Sequence, residues 1–256
     1  MRTTLIRGLA GERDHGLNSS AGLEASKRVL HLVAENNDIG RVVRVYRPAS
    51  TVAFSRRETL LSGFAEAVAE ATTFGFEPYI RPAGGRAVVL DTDWLVLDVI
   101  TPEDRGRTVA HRDVFTEFGE RFVSLFAGLG VDTAIAPVEG EYCPGDYSIS
   151  ARGAVKLVGT AQRVTRGARL FSASIPFAVS PNAAELLTRV NSLLELDWDP
   201  RTLGSVTLES PTTSLADLES SLIRAFATDA DGESTLADLF SASPAHSESN
   251  PSAWAS

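Results

Sequence analysis

Apolar side chains recur along the chain at two spacings, one that suits amphipathic helices and one that suits strands. Residues 20–36, SAGLEASKRVLHLVAEN, place Leu23, Ala25, Val29, Leu30 and Val33 close to one helical face. RVVRVYRP at 41–48 then alternates polar and apolar positions as a strand does. SRRE at 55–58 has the form of a capping box, in which Ser55 accepts from the backbone three residues on and Glu58 reaches back. The helix it opens is expected to bury Leu60, Leu61, Phe64, Val68 and Ala71 and to end near Gly75.

EPYIRPAGGRAVVLDTDWLVLDVITP reads as a strand, a glycine turn and two further strands, Ala87 to Leu90 and Trp94 to Ile100. A helix over 104–129 would set Phe115, Phe118, Phe122, Leu125, Phe126 and Leu129 on one face. A strand in VDTAIAPV follows, then a loop, then strands in YSIS, VKLVGTAQRV and RLFSASIPF joined by the turns ARGA and TRGA. Helices near 182–194 and 214–227 close the periodic part. Residues 228–256 are rich in Ser, Ala, Asp and Pro with little periodicity, and are expected to form a flexible polar tail after one domain over 1–227. Several strands adjoin through short turns, which favours an α+β mixed β-sheet flanked by helices over a doubly wound parallel one.

The 256 residues are 43% hydrophobic and 22% charged, enough for one sizeable core. No run of about 18 apolar residues occurs and the first residues lack the apolar stretch of a signal peptide, so no membrane association and a cytoplasmic location are expected. A net charge of -9 disfavours nucleic acid and anionic lipid as partners. Of 24 basic residues only Lys27 and Lys156 are lysine, and Cys143 is the one cysteine. Lys27 has a bland explanation in the first helix; Lys156 has none.

A lone cysteine makes no internal disulfide and builds no zinc site, so no metal is expected. Cys143 stands in a turn between Glu-Gly-Glu-Tyr and Pro-Gly. It is either a small buried hydrophobe or a nucleophile, and a nucleophile needs a positive neighbour or a base. His15, His31, His111 and His246 are remote in sequence or outside any motif. Lys156 is the better partner: in VKLVG, alternation puts it on the face opposite Val155 and Leu157, where an ammonium could polarise an acyl carbonyl. RPAGGRAVV admits two readings, a hairpin turn or a loop whose glycines let a ligand approach between Arg81 and Arg86. Neither GxxxxGK[ST] nor GxGxxG is present.

Together, Arg81-Pro82-Ala83-Gly84-Gly85-Arg86-Ala87-Val88 and Lys156-Leu157-Val158-Gly159-Thr160-Ala161-Gln162-Arg163 resemble the R-x-x-G-G-x-A-V loop and K-x-x-G-x-A-Q-R strand of the biotin/lipoate protein ligase and octanoyltransferase superfamily. The resemblance covers about residues 20–195 and implies a class II biotin/lipoate ligase-like catalytic domain. Tyr142-Cys143-Pro144-Gly145-x-Tyr147 is similar to the branch that moves octanoyl groups from the glycine-cleavage H protein to other lipoyl domains. The resemblance implies an acyltransferase in which Cys143 carries the octanoyl or lipoyl group as a thioester and Lys156 holds its carbonyl. Arg81, Gly84, Gly85 and Arg86 would line one wall of the acyl pocket and Gly159, Thr160 and Ala161 the other. No cofactor is required in that scheme. The implied partners are lipoyl carrier domains, namely the glycine-cleavage H protein and the E2 subunits of 2-oxoacid dehydrogenases. An ATP- and Mg-dependent lipoate ligase acting through an adenylate is the alternative, with Cys143 incidental, and a silent binder of carriers or acyl ligands is a third reading. Arg81, Arg86, Arg152, Arg163 and Arg166 would offer a basic patch to an acidic carrier.

Overall fold

Three apolar strands, Trp94–Pro102, Val155–Thr165 and Ala168–Pro176, pair antiparallel at the heart of the larger of two sheets. The computed structural model describes residues 2–8, 21–36, 38–103 and 110–241. In chain order these form β1 (Thr3–Gly8), α1 (Ala21–Glu35), β2 (Arg41–Tyr46), β3 (Thr51–Phe54), a 3-10 turn (Glu58–Leu60), α2 (Phe64–Thr73), β4 (Glu77–Ile80), β5 (Val88–Leu90), β6 (Trp94–Pro102) and α3 (His111–Gly128). There follow β7 (Thr133–Ile135), β8 (Ile149–Ala151), β9 (Val155–Thr165), β10 (Ala168–Pro176), α4 (Pro181–Leu193), a second 3-10 turn (Pro200–Thr202), the single-turn α5 (Val206–Glu209), α6 (Leu215–Phe226), β11 (Ala230–Ser234) and α7 (Leu236–Ser241). The larger sheet has the order β11-β1-β2-β6-β10-β9-β8-β7, and a three-stranded sheet has the order β4-β3-β5. β1 runs parallel to β2 and β11 and the other ladders of the large sheet are antiparallel, so the fold is the expected α+β mixed sheet flanked by helices.

The two faces of the large sheet are covered differently. Val43, Val45, Leu97, Val99, Phe171 and Ile175 point to one face and pack on α3 and α6 through Phe118, Phe122, Phe126 and Phe226. Burying each such side chain contributes about 1.5–3 kcal/mol, so this face anchors the fold. The opposite face has two covers. Over β6 and β10 it meets α1 through Val29, Leu30 and Val33. Farther along, it meets the small sheet, α2 and α4, in a second core holding Val52, Phe54, Val89, Trp94 and Leu186. Between these two covers a cavity remains.

The expected helices and central strands are present, and the differences cluster around residue 58. Glu58 does reach back to the Ser55 amide at 2.7 Å, but the buried Ser55 hydroxyl caps nothing and α2 begins only at Phe64. The second Glu58 oxygen accepts from the Ala87 amide at 2.6 Å, so the carboxylate ties this turn to the strand after the glycine motif instead of opening a helix. Consequently Leu60 is 85% exposed and Leu61 also faces solvent, contrary to expectation, while α2 buries Ala67 and Ala71. The glycine motif is not a hairpin turn: β4 and β5 lie on opposite sides of β3, and residues 81–87 cross its end.

Residues 228–256 are not a flexible polar tail throughout. β11 pairs with β1, and α7 packs Leu236 and Leu239 onto the α1 core, with Arg28 stacked 4.2 Å from the Phe240 ring centre. The serine-rich composition concealed the Leu-x-x-Leu-Phe spacing of one helical turn. Residues 242–256, and the 104–109 part of the expected third helix, lie outside the described residues. No helix among the described residues is long and apolar enough to cross a membrane.

Glu58→Ala leaves the Ser55 and Ala87 amides buried without acceptors, at about 1–3 kcal/mol each. A drop of at least about 2 kcal/mol in urea unfolding free energy is the expected outcome.

Candidate active site

Cys143 sits in the loop between β7 and β8, and Lys156 is the second residue of β9. The register pairs Lys156 with Ser150, and its side chain turns inward as alternation predicts, leaving the residue 3% exposed. An ammonium so deep must be paired and hydrogen-bonded. Glu141 Oε2 lies 3.1 Å from Nζ, the Cys143 main-chain carbonyl accepts from Nζ at 2.6 Å, and the Tyr142 ring centre is 4.9 Å away. Glu141, 1% exposed, also accepts from the Gly145 amide at 2.9 Å and from the Ser148 hydroxyl. One carboxylate thus closes the loop around the cysteine and fixes the lysine against it.

The glycine motif supplies the facing wall. The Arg86 amide donates to Cys143 Sγ at 3.1 Å, where it can hold negative charge on sulfur. Arg81 Nη2 donates to the Arg86 carbonyl at 2.7 Å, and Arg86 Nη1 reaches the Asp197 carbonyl at 2.8 Å. Gly85 adopts φ +102°, and a Cβ there would fall 2.9 Å from Sγ and 2.7 Å from Arg81 Nη2, so no other residue fits without displacing the sulfur or the arginine. Gly159 is needed for closeness: a Cβ would meet Ser174 Oγ, Lys156 Cε and Tyr142 Oη, all within 3.3 Å. Burial first, then Cys143 and Glu141, push the Tyr142 phenol well above its ordinary range and keep it neutral.

These groups open into a cavity of about 470 Å³. Its lining brings together Arg81, Gly84, Gly85, Cys143, Lys156, Gly159, Thr160 and Ala161, every site residue expected from sequence except Arg86, whose amide contributes but whose side chain turns to Asp197. Leu23 of α1, Ala53, Val88 and Leu90 of the small sheet, and Val96 give it an apolar interior. Phe115 stacks on Tyr147 at 4.8 Å and His111 begins α3; both rings belong to the lining. Sequence reasoning gave no role to Glu141, Tyr142, Ser174, His111, Ser26 or Asp98. Tyr142 stood in the motif around the cysteine and Glu141 is an acid two residues from it; their burial is what those signals could not show. The basic patch is only partly free: Arg163 and Arg166 are exposed, whereas Arg152 pairs with Glu209 at 2.6 Å. Lys27 pairs with Glu24 at 3.2 Å on α1, as its bland reading implied.

The architecture is that of lipoate-protein ligases. A Thermoplasma acidophilum protein solved with bound lipoic acid superposes with a TM-score of 0.68 at 19% identity over 93% of each chain. Lipoate-protein ligase A bound with ATP gives 0.66 at 19% identity, over 93% of this chain and 91% of that one. Residues 23–226 match the lipoyl protein ligase A/B catalytic domain, and the chain belongs to that family. Among curated relatives, the octanoyl-[GcvH]:protein N-octanoyltransferase of Geobacillus kaustophilus is 32% identical over 126 residues, 49% of this chain and 44% of that protein. The lipoyl-[GcvH]:protein N-lipoyltransferase of Listeria monocytogenes is 29% identical over 124 residues, 47% and 43% of the two chains. The matched stretches span less than half the length of these two relatives.

Gly84 and Gly85 differ in what they tolerate, since a Cβ at Gly84 meets nothing within 4 Å. Gly85→Ala is expected to change the rate of Cys143 alkylation by iodoacetamide at least about threefold, a shift of about 0.7 kcal/mol or more in barrier, while Gly84→Ala leaves it near wild type. Intact mass against time reads both.

Proposed function

We propose that this chain is an acyltransferase that moves an octanoyl or lipoyl group between lysines of lipoyl carrier domains through a thioester on Cys143. The observation that carries this reading is the position of the only cysteine: its sulfur faces a largely apolar cavity, takes the Arg86 amide, and has the buried Lys156 ammonium on its own carbonyl. Cys143 also borders the second core, but a merely structural cysteine would need no such donors.

In the reaction, the Cys143 thiolate attacks the amide carbonyl of an acylated lysine on the donor domain. A C–S bond forms, the C–N bond breaks, and the lysine amine leaves with the proton the thiol gave up. Negative charge on the carbonyl oxygen is met by the third hydrogen of Lys156. The amine of an acceptor lysine then attacks the thioester, a C–N bond forms, the C–S bond breaks, and the proton the amine loses returns to the sulfur, regenerating the cysteine. Gly159, Thr160 and Ala161 form the wall along which the chain lies, with Arg81, Gly84 and Gly85 opposite. Glu141 acts by positioning, holding Lys156 and the cysteine loop together.

Arg81 and Lys156 are the arginine and lysine of the lining, and both already donate within the protein, Lys156 to Glu141 and Cys143 and Arg81 to Arg86. One arginine and one lysine in a mostly apolar lining suit an acyl chain, and no step is routed through ATP. The GcvH-named relatives support the glycine-cleavage H protein as a partner, and the Thermoplasma acidophilum lipoate protein ligase described with its E2 lipoyl domain supports E2 subunits.

Incubation with an octanoylated carrier domain without ATP is expected to add one octanoyl mass to the protein. The adduct should vanish in Cys143→Ala and be removed by hydroxylamine. Lys156→Ala should slow loading about 100-fold or more. ATP-dependent acylation of the carrier that survives Cys143→Ala would mean that the protein is a ligase.

A further inference from the structure

Behind the cavity lies a buried ionic cluster that the chemistry above does not use. The Arg44 guanidinium and the Asp98 carboxylate are 2% and 1% exposed, 3.5 Å apart, and Ser26 of α1, 4% exposed, bridges them by hydrogen bonds to both. Arg44 also donates to the Gly22 carbonyl at 3.1 Å and stacks 4.3 Å from the Tyr46 ring centre. Asp98 and Ser26 belong to the cavity lining.

The strand register shows where this cluster stands. Ala161, Ser172, Asp98 and Arg44 lie in one row across β9, β10, β6 and β2; Gly159, Ser174, Val96 and Tyr46 lie in the next. On β9 and β10 both rows hold only glycine, alanine and serine, which leave the face of the sheet uncovered. On β6 and β2 they hold larger side chains. Starting from Lys156 on β9, the open floor therefore runs about two strand spacings, ~10 Å, before it meets Asp98 and Ser26. An extended octanoyl chain is about that long.

We propose that the Arg44–Asp98–Ser26 cluster is the end wall of the acyl channel and sets the longest chain the site accepts. The inference rests on the acyl-transfer reading above. The wall is rigid for an electrostatic reason: moving either charged group aside would leave its partner buried and unpaired. A longer chain finds no room, because the side chains beyond Asp98 are bonded to one another rather than loosely packed.

The test loads Cys143 from p-nitrophenyl butanoate, octanoate and dodecanoate, read by intact mass. In each case the thiolate attacks the ester carbonyl, a C–S bond forms and p-nitrophenolate leaves. The full chain is expected to load octanoyl at least about tenfold faster than dodecanoyl. Ser172→Leu puts a side chain midway along the floor, opposite Asp98 in the register, and keeps both charges of the pair; it should lower the octanoyl-to-butanoyl loading ratio about tenfold or more. Arg44→Ala with Asp98→Ala should bring dodecanoyl to within about threefold of octanoyl. An unchanged octanoyl-to-butanoyl ratio in Ser172→Leu overturns the proposal, as does a folded double variant that still rejects dodecanoyl; if the double variant does not fold, Ser172→Leu decides. If no ester loads Cys143 although iodoacetamide alkylates it, the transfer reading itself fails, a result distinct from loading without length dependence.

Discussion

The buried pair of Glu141 and Lys156 is the constraint on which the site depends. Two charges removed from water gain from each other only if their remaining hydrogen-bonding capacity is also met. Here it is: Glu141 takes Gly145, Ser148 and Lys156, and Lys156 gives to the Cys143 carbonyl. Those bonds tie an irregular loop, without secondary structure of its own, to a central strand. Had the pair been replaced by apolar groups, the fold could be as stable, but no ammonium would stand beside the cysteine.

The second wall is held by a different device. Residues 81–87 pass from one edge of the small sheet to the other across the end of β3, with Glu58 bonded to Ala87 at one end and the Arg81 amide bonded to the Phe54 carbonyl at the other. A hairpin would have put the glycines at the tip of a turn; here both stay exposed along the cavity lining. The crossing loop, pinned at both ends, turns its Arg86 amide onto Cys143 Sγ. The two halves of the site come from different sheets, and their separation is set by the packing of Tyr142 and Val96 in the core that joins those sheets.

Much of this was legible in the sequence because the signals were local. Period-2 alternation identified β9 and β10 and turned Lys156 inward, and the phenylalanine spacing identified α3. The paired motifs carried the family and most of the lining. What was not legible depends on contacts far apart in the chain. SRRE scores as a capping box on local rules, yet Glu58 answers to Ala87, 29 residues away, and the leucines expected beneath the helix come out to solvent. Gly-Gly between strands is locally a hairpin, and only the insertion of β3 between its neighbours makes it a crossing loop. Asp98 sits in WLVLDVI, which reads as an apolar strand with one stray acid; its partner Arg44 is 54 positions away in another such run.

One consequence follows from the bare stretch of sheet made by Gly159, Ala161, Ser172 and Ser174. A central sheet of this size ordinarily fills both faces with its own side chains, and here one patch has been left without them. The protein therefore folds around an absence, with part of its interior uncompleted by the gene. An apolar chain lying in that gap plays the role of the missing residues, so substrate and hydrophobic core become, for the lifetime of the bound state, the same thing.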